Sequence, residues 1–348
     1  MAQKNRVISI ARGICIILMV VGHSGCPELL RKFIFLFHVP FFFFASGYFC
    51  RPEETLKPSD GSIGLYGRIL RRFKRLYLPF ILYGLVFLLL HDFFLKIGVY
   101  NPLDDGSAYD LNAFWGVALK MFLKMDLPSH LLGAMWFLRS LLIAAVSTDV
   151  ALYLLRNKPR TQICLAPLAA LAVLLLRLAP EGTPVIRQLI PAAMGAFFFL
   201  LGMNYKKVED KFNPGLLILV LLFALLLVCA AFKPLSMDTP GVLDNALYML
   251  LIAPAGILLV MKLSEYLDKT AASNTLGYIG DNSLPVLALH FLCFKPVSLL
   301  AIKTLGLPSQ ALSSFPVIPD LGGGWWILYS LAGLLIPLLA SLVSPRKF

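Results

Sequence analysis

The sequence predicts an all-α fold: a polytopic membrane helical bundle of about ten transmembrane helices, with N- and C-termini cytoplasmic. Three observations carry this expectation. Of the 348 residues, 59% are hydrophobic and 14% charged, with a mean hydropathy of +0.80, whereas soluble domains carry about a quarter charged residues and roughly half apolar ones. The apolar residues fall into blocks close to the roughly twenty residues that a helix needs to cross hydrocarbon. The period-2 alternation of an outer-membrane barrel is absent.

The first block, Val7–Gly25, follows Lys4 and Arg6 and ends His-Ser-Gly-Cys26, which resembles a lipoprotein cleavage site. Arg12 and His23 interrupt it where a signal peptide would be aliphatic, so a retained first span is expected. Phe33–Cys50, Leu76–Leu95 and Ala134–Leu155 follow. The next block, Cys164–Leu178, is short and contains Pro167, which makes it the weakest. Val185–Met203, Leu216–Phe232, Leu243–Leu263, Leu284–Ile302 and Trp325–Val343 complete ten. The long connection from Phe93 to Gly133 holds an apolar piece, Phe114–Leu123, suited to a re-entrant or surface helix. No internal repeat is evident, so residues 1–348 read as a single transmembrane domain.

Orientation follows from the basic residues. With the N-terminus inside, the cytoplasmic segments collect Lys4, Arg6, Arg51, Lys57, Arg68, Arg71, Arg72, Lys74, Arg75, Arg156, Lys158, Arg160, Lys206, Lys207, Lys211, Lys262, Lys269, Arg346 and Lys347. The opposite loops hold about half as many, among them Arg31, Lys32, Lys96, Lys120, Lys124, Arg177, Arg187, Lys233 and Lys303. This bias accounts for the net charge of +12 without nucleic acid as a partner. The six cysteines show no metal or redox spacing and read as small core hydrophobes.

Chemistry enters with Arg12 and His23. Eleven residues apart, they share one helix face about 16 Å apart along the axis. Ionisable groups at membrane depth are costly and usually face a protein interior or a water-filled cavity. The cluster Arg68, Arg71, Arg72, Lys74 and Arg75 precedes Pro79. Its plain reading is anchoring to anionic lipid; its functional reading is a polyphosphate site of guanidinium forks, Arg72 and Arg75 being neighbours on a helix. Coenzyme A has the shape that joins the two features: an anionic head, a long arm and a thioester at the tip. At that tip a neutral imidazole at position 23 suits a general base, or a nucleophile that takes the acyl group itself.

The motifs then resemble a known family. Ala11-Arg-Gly-Ile…Val-Gly-His23-Ser and Phe37-His-Val-Pro-Phe-Phe-Phe-Phe-Ala-Ser-Gly-Tyr-Phe49 look like the opening of the integral-membrane acyltransferase 3 family. Arg72-x-x-Arg75 before Leu-Pro79, Trp136-Phe-Leu-Arg-Ser-Leu141 and Gly280-Asp-Asn-Ser-Leu…Leu-His290 are similar to its later signatures. The resemblance implies ten membrane helices and transfer of an acyl group, usually acetyl, from cytoplasmic acyl-CoA to a hydroxyl, commonly on a surface polysaccharide, lipid-linked glycan or peptidoglycan. It implies that Arg12 and His23 are essential and that Arg72 and Arg75 engage the donor. Ser9 departs from the pattern: many members carry an acid there, three residues before the arginine. Arg12 is then either free for phosphate or neutralised from elsewhere.

The expectation is therefore a multi-pass O-acetyltransferase of the plasma (inner) membrane, with acetyl-CoA as donor and no metal. Its partners are acyl-CoA, a glycan or lipid-linked sugar and membrane lipids. His23 and Arg12 are the catalytic candidates, and Arg68, Arg71, Arg72 and Arg75 the donor-binding ones. His38, Trp136, Arg139, His290 and Asn282 are candidates for the acceptor or for supporting roles; packing, interfacial anchoring and helix capping (with Asp281) are their plainer readings. Phe41–Phe44 reads as lipid contact or packing, and His91 and His130 as solvated. A transporter or flippase for a glycan or anionic metabolite, with the same cations lining its path, is the alternative; an inactive sensor or scaffold is a third.

Overall fold

The computed structural model describes residues 2–50, 64–156, 164–177, 184–211, 214–233, 235, 237 and 243–343. Arg51, Lys57, Lys158, Arg160, Leu178, Arg346 and Lys347 lie outside them. Among the described residues every regular element is helical, and the chain is an all-α polytopic membrane bundle. Seven helical stretches are long and apolar enough to cross a membrane, and Leu165–Leu176 and Leu216–Phe232 are apolar but shorter.

The first expected span is one unbroken helix, α1 (Ala2–His23). The second is not. It divides into α2 (Glu28–Phe35) and α3 (His38–Tyr48), with Phe37 turned out of helical geometry at φ −144° and ψ −18°. Pro40 fits the break: it has no N–H and its ring collides with the carbonyl four residues back, so the first turn of α3 suits it, although other helices of this chain continue through Pro191, Pro254, Pro296 and Pro337. The third block starts earlier than expected. It runs from α4 (Gly64–Arg72) through a π-wound turn, Phe73–Tyr77, into α5 (Leu78–Leu89) and then α6 (His91–Lys96). Hydropathy alone hides α4 because its arginines lower the average. The wider π turn directly precedes Pro79, where it relieves the clash with the carbonyl of Arg75.

In the long connection, α7 (Leu111–Lys124) is capped by Asp110, whose carboxylate accepts from the Ala113 N–H at 2.7 Å, and it packs on α5. A 3-10 turn, His130–Met135, feeds α8 (Trp136–Leu154). Then come α9 (Leu165–Arg177), α10 (Pro184–Val208), α11 (Leu216–Phe232) and α12 (Leu243–Leu267). A shorter helix, α13 (Ala272–Asp281), precedes α14 (Ser283–Leu305), and α15 (Trp325–Val343) ends the described chain. Of the cysteines, Cys164 is exposed and the other five are buried with free thiols. His91 is buried rather than solvated, stacked on Tyr109 with centroids 3.7 Å apart.

Helix α1 lies at the centre, against α2, α3, α12, α13, α14 and α15. Two crossings have no side chain between the main chains. Where α1 meets α13, a Cβ on Gly13 would run into the Leu276 carbonyl, and one on Gly280 into the carbonyl of Ser9. Where α3 meets α10, Gly47 faces the Phe199 carbonyl and Gly202 that of Phe44. Small residues allow this approach, which membrane helices use because lipid offers no hydrophobic drive to pair them.

Gly280→Leu and Gly202→Leu are expected to destabilise the fold by at least about 1–3 kcal/mol each, the cost of overpacking against backbone that cannot yield. Gly116→Ala on α7, with nothing within 4 Å of the added carbon, is expected to be neutral or to stabilise by up to about 1 kcal/mol. Thermal unfolding in detergent checks both; equal midpoints for the three variants would contradict the crossing.

Candidate active site

Four arginines of the α4 helix and its π turn, Arg68, Arg71, Arg72 and Arg75, recur at i, i+3, i+4 and i+7, and all four line one cavity of about 930 Å³. Lys74, the fifth cation of the run, falls off that face. A carboxylate from α8 organises the group. Asp149 is fully buried, and its two oxygens accept from Arg68 Nη2 at 2.6 Å and Arg72 Nε at 2.9 Å. Arg68 also reaches the Cys50 thiol at 3.1 Å, and the Arg72 guanidinium lies over the Phe199 ring at 5.2 Å. Among the described residues no carboxylate pairs with Arg71 or Arg75, both of which are exposed toward the cavity mouth.

Arg12 enters the same cavity from α1. Its Nη2 donates to Ser283 Oγ at 2.9 Å, and its Nη1 lies 3.9 Å from Asp281 Oδ1. Ser9 is the hydroxyl that stands where an acid is common, and it donates to Asp281 Oδ1 at 2.7 Å. The neutralising carboxylate is thus supplied across the Gly13–Gly280 crossing, and Ser9 orients it. Among the described residues, five guanidiniums face two carboxylates, Asp149 and Asp281, at this end.

At the other end of the α1 face His23 lines the cavity as the last residue of its helix. Its ring meets Phe35 at 5.4 Å and Phe291 at 5.0 Å, both edge-on. His38 shares the wall; its Nδ1–H donates to the Ile34 carbonyl at 2.9 Å, a bond that fixes the tautomer and leaves Nε2 as the acceptor. Trp136 lines the side formed by the turn into α8. Between the two ends the wall is apolar, with Ile16, Met19 and Phe42 among its residues. A cluster of guanidiniums and an imidazole therefore stand at opposite ends of one apolar passage.

Three of the sequence candidates do not line the cavity. Arg139 pairs instead with Asp126 at 3.0 Å and donates to the Met125 carbonyl, because the loop before α8 folds back to supply the acid that the arginine lacks within a turn of its own helix. His290 is fully buried behind His23, centroids 5.6 Å apart; its Nδ1–H donates to the Val286 and Leu287 carbonyls, and its Nε2 has no hydrogen-bond partner. Asn282 occupies the cap position of α14 without capping it, and its amide donates back to the Tyr278 carbonyl at 2.9 Å. Its neighbours Asp281 and Ser283 carry the contacts to Arg12. Asp149 was not anticipated, although an isolated acid in the apolar run Ser147-Thr-Asp-Val150 carries the same signal as Arg12. Among the described residues no group of three or more His, Cys, Asp or Glu is placed to hold a metal ion.

A family model described as an acyltransferase domain, acyltransferase 3, matches residues 5–344. No curated protein and no solved structure matches the chain.

Because Asp149 bridges two cations, its loss should cost more than the loss of either. Asp149→Ala is expected to destabilise by about 3–5 kcal/mol, leaving two guanidiniums without their acid. Arg68→Ala should cost less, since Arg72 still pairs with the carboxylate. Thermal midpoints in detergent test the order; a reversed order would refute the bridging role.

Proposed function

The chain belongs to the acyltransferase 3 family and is a membrane acyltransferase, and from that premise we propose that it transfers an acetyl group from cytoplasmic acetyl-CoA to a sugar hydroxyl of a surface polysaccharide or lipid-linked glycan, in the plasma (inner) membrane. With the family established, the transporter or flippase reading falls away. The observation that carries the proposal is the single cavity holding Arg12, Arg68, Arg71, Arg72 and Arg75 at one end and His23 at the other.

The donor's chemistry fits the two ends. Its diphosphate and its phosphomonoester supply several negative charges to a site where, among the described residues, guanidiniums outnumber carboxylates. Arg71 and Arg75, which Asp149 does not hold, offer guanidinium forks that bind phosphate oxygens two at a time. Arg68 and Arg72, pinned by Asp149, add field more than flexibility. The flexible, less polar arm of the donor suits the apolar middle, and a cavity of about 930 Å³ is at the upper end of ordinary ligand sites, roughly 300–1,000 Å³.

At the far end His23 takes the proton from the acceptor hydroxyl as its oxygen bonds to the thioester carbonyl carbon. The carbon–sulfur bond then breaks, and the leaving thiolate takes the proton back from the imidazolium. The products are an acetyl ester and free coenzyme A thiol, and His23 is again neutral.

Two outcomes are expected with purified protein in lipid nanodiscs. His23→Ala should lower acetyl transfer from labelled acetyl-CoA by about 10²–10⁴-fold, the span of general acid–base catalysis, while retaining affinity for coenzyme A. Transfer at the unmodified rate would remove His23 from the chemistry. Arg71→Ala and Arg75→Ala should each weaken coenzyme A binding by about tenfold or more, as loss of a charge-assisted hydrogen bond does, and should flatten its dependence on salt. Calorimetric titration reads both; unchanged affinity would remove these residues from the donor site.

A further inference from the structure

An aromatic row begins at His23 and continues along the cavity wall past the groups that the proton transfer uses. Phe291 touches the His23 ring edge-on at 5.0 Å, Phe315 is tilted against Phe291 at 4.7 Å, and His130 meets Phe315 edge-on at 4.6 Å. Phe315 and Pro316 line the cavity, and the Phe315 side chain is still 43% exposed. The row therefore carries an accessible ring along the cavity wall from the imidazole.

The loop that carries Phe315 is held by an unusual anchor. Lys295, only 3% exposed within the spanning helix α14, donates from Nζ to the Leu312 carbonyl at 3.0 Å and the Ser314 carbonyl at 2.8 Å. An ammonium at this depth is costly and calls for a function. What it grips is the backbone immediately before Phe315. Leu312, Val317 and Ile318 are buried on either side, and Val317 lies against Gly25, two residues past His23. Across the opening stands Gly133, where even a methyl group would touch both rings, at 3.5 Å from Phe291 and 3.7 Å from Phe315. A side chain larger than alanine there would crowd both rings.

An exposed ring beside a base that must meet a hydroxyl suits one ligand chemistry. A pyranose presents a face of C–H bonds, slightly positive, and an aromatic ring presents a negative face. Hydroxyls at the sugar's rim then project sideways, toward the base. We propose that Phe315 is the platform on which the acceptor's sugar ring stacks, and that this stacking selects a pyranose hydroxyl over one on a flexible chain. The inference rests on the acetyl-transfer reading above.

The test uses the full-length protein in nanodiscs with radiolabelled acetyl-CoA. One acceptor series is a panel of methyl pyranosides (glucoside, galactoside, N-acetylglucosaminide, rhamnoside); the other is glycerol. The readout is the ratio of kcat/KM for the best pyranoside to kcat/KM for glycerol. The unmodified protein should favour the pyranoside. Phe315→Ala should lower the ratio roughly two- to tenfold, the scale of one aromatic contact, and Phe315→Trp should keep it. An unchanged ratio in Phe315→Ala overturns the platform, as does a protein that hydrolyses acetyl-CoA yet acetylates no pyranoside. A protein that neither binds nor consumes acetyl-CoA overturns the acetyl-transfer reading itself, and this inference with it.

Discussion

A guanidinium removed from water must find an acid, a ligand or a water-filled space, and the site depends on how that demand is met. Asp149 answers for Arg68 and Arg72, and Asp281 stands beside Arg12. Both acids come from helices other than those of the arginines they serve. The pairing therefore ties α8 to α4 and α13 to α1, and the two ties bring separate segments to a common wall. Among the described residues neutralisation stops short of completion: Arg71 and Arg75 line the cavity without a carboxylate partner. An incomplete balance is what lets an anionic molecule contribute the missing charge.

Much of this was legible in the chain. Leu216–Phe232 and Trp325–Val343 are helices to the residue, because uniform apolar runs flanked by polar or glycine joints leave no other choice. The Arg12–His23 spacing foretold a shared face, and one helix from Ala2 to His23 delivers it. Where local rules compete, hydropathy misled. A turn at Phe37, just before Pro40, splits a block that looks continuous, and the arginines of α4 conceal a helix that extends a span. Partners distant in sequence were beyond reach: nothing near Arg139 points to Asp126, and nothing near Arg12 points to Asp281. Asp149 was within reach, had acids in apolar runs been weighed as arginines were.

The two ends of the cavity differ in how their side chains are held. Around the arginines, ion pairs and a thiol contact fix direction through charge. Around His23 the neighbours are rings, Phe35, Phe291 and the buried His290, which fix position through shape. Charge holds a side chain in direction and ring packing holds one in place, so the two ends of the cavity are built by different forces.

The contact between Gly13 and Gly280 has a last consequence. Because main chain meets main chain, the offset between α1 and α13 is set by covalent geometry, not by flexible side chains that could repack. Arg12 and Asp281 are the residues next to those glycines, so their separation is preorganised before any substrate arrives. Association then need not expend its free energy on assembling this corner of the protein.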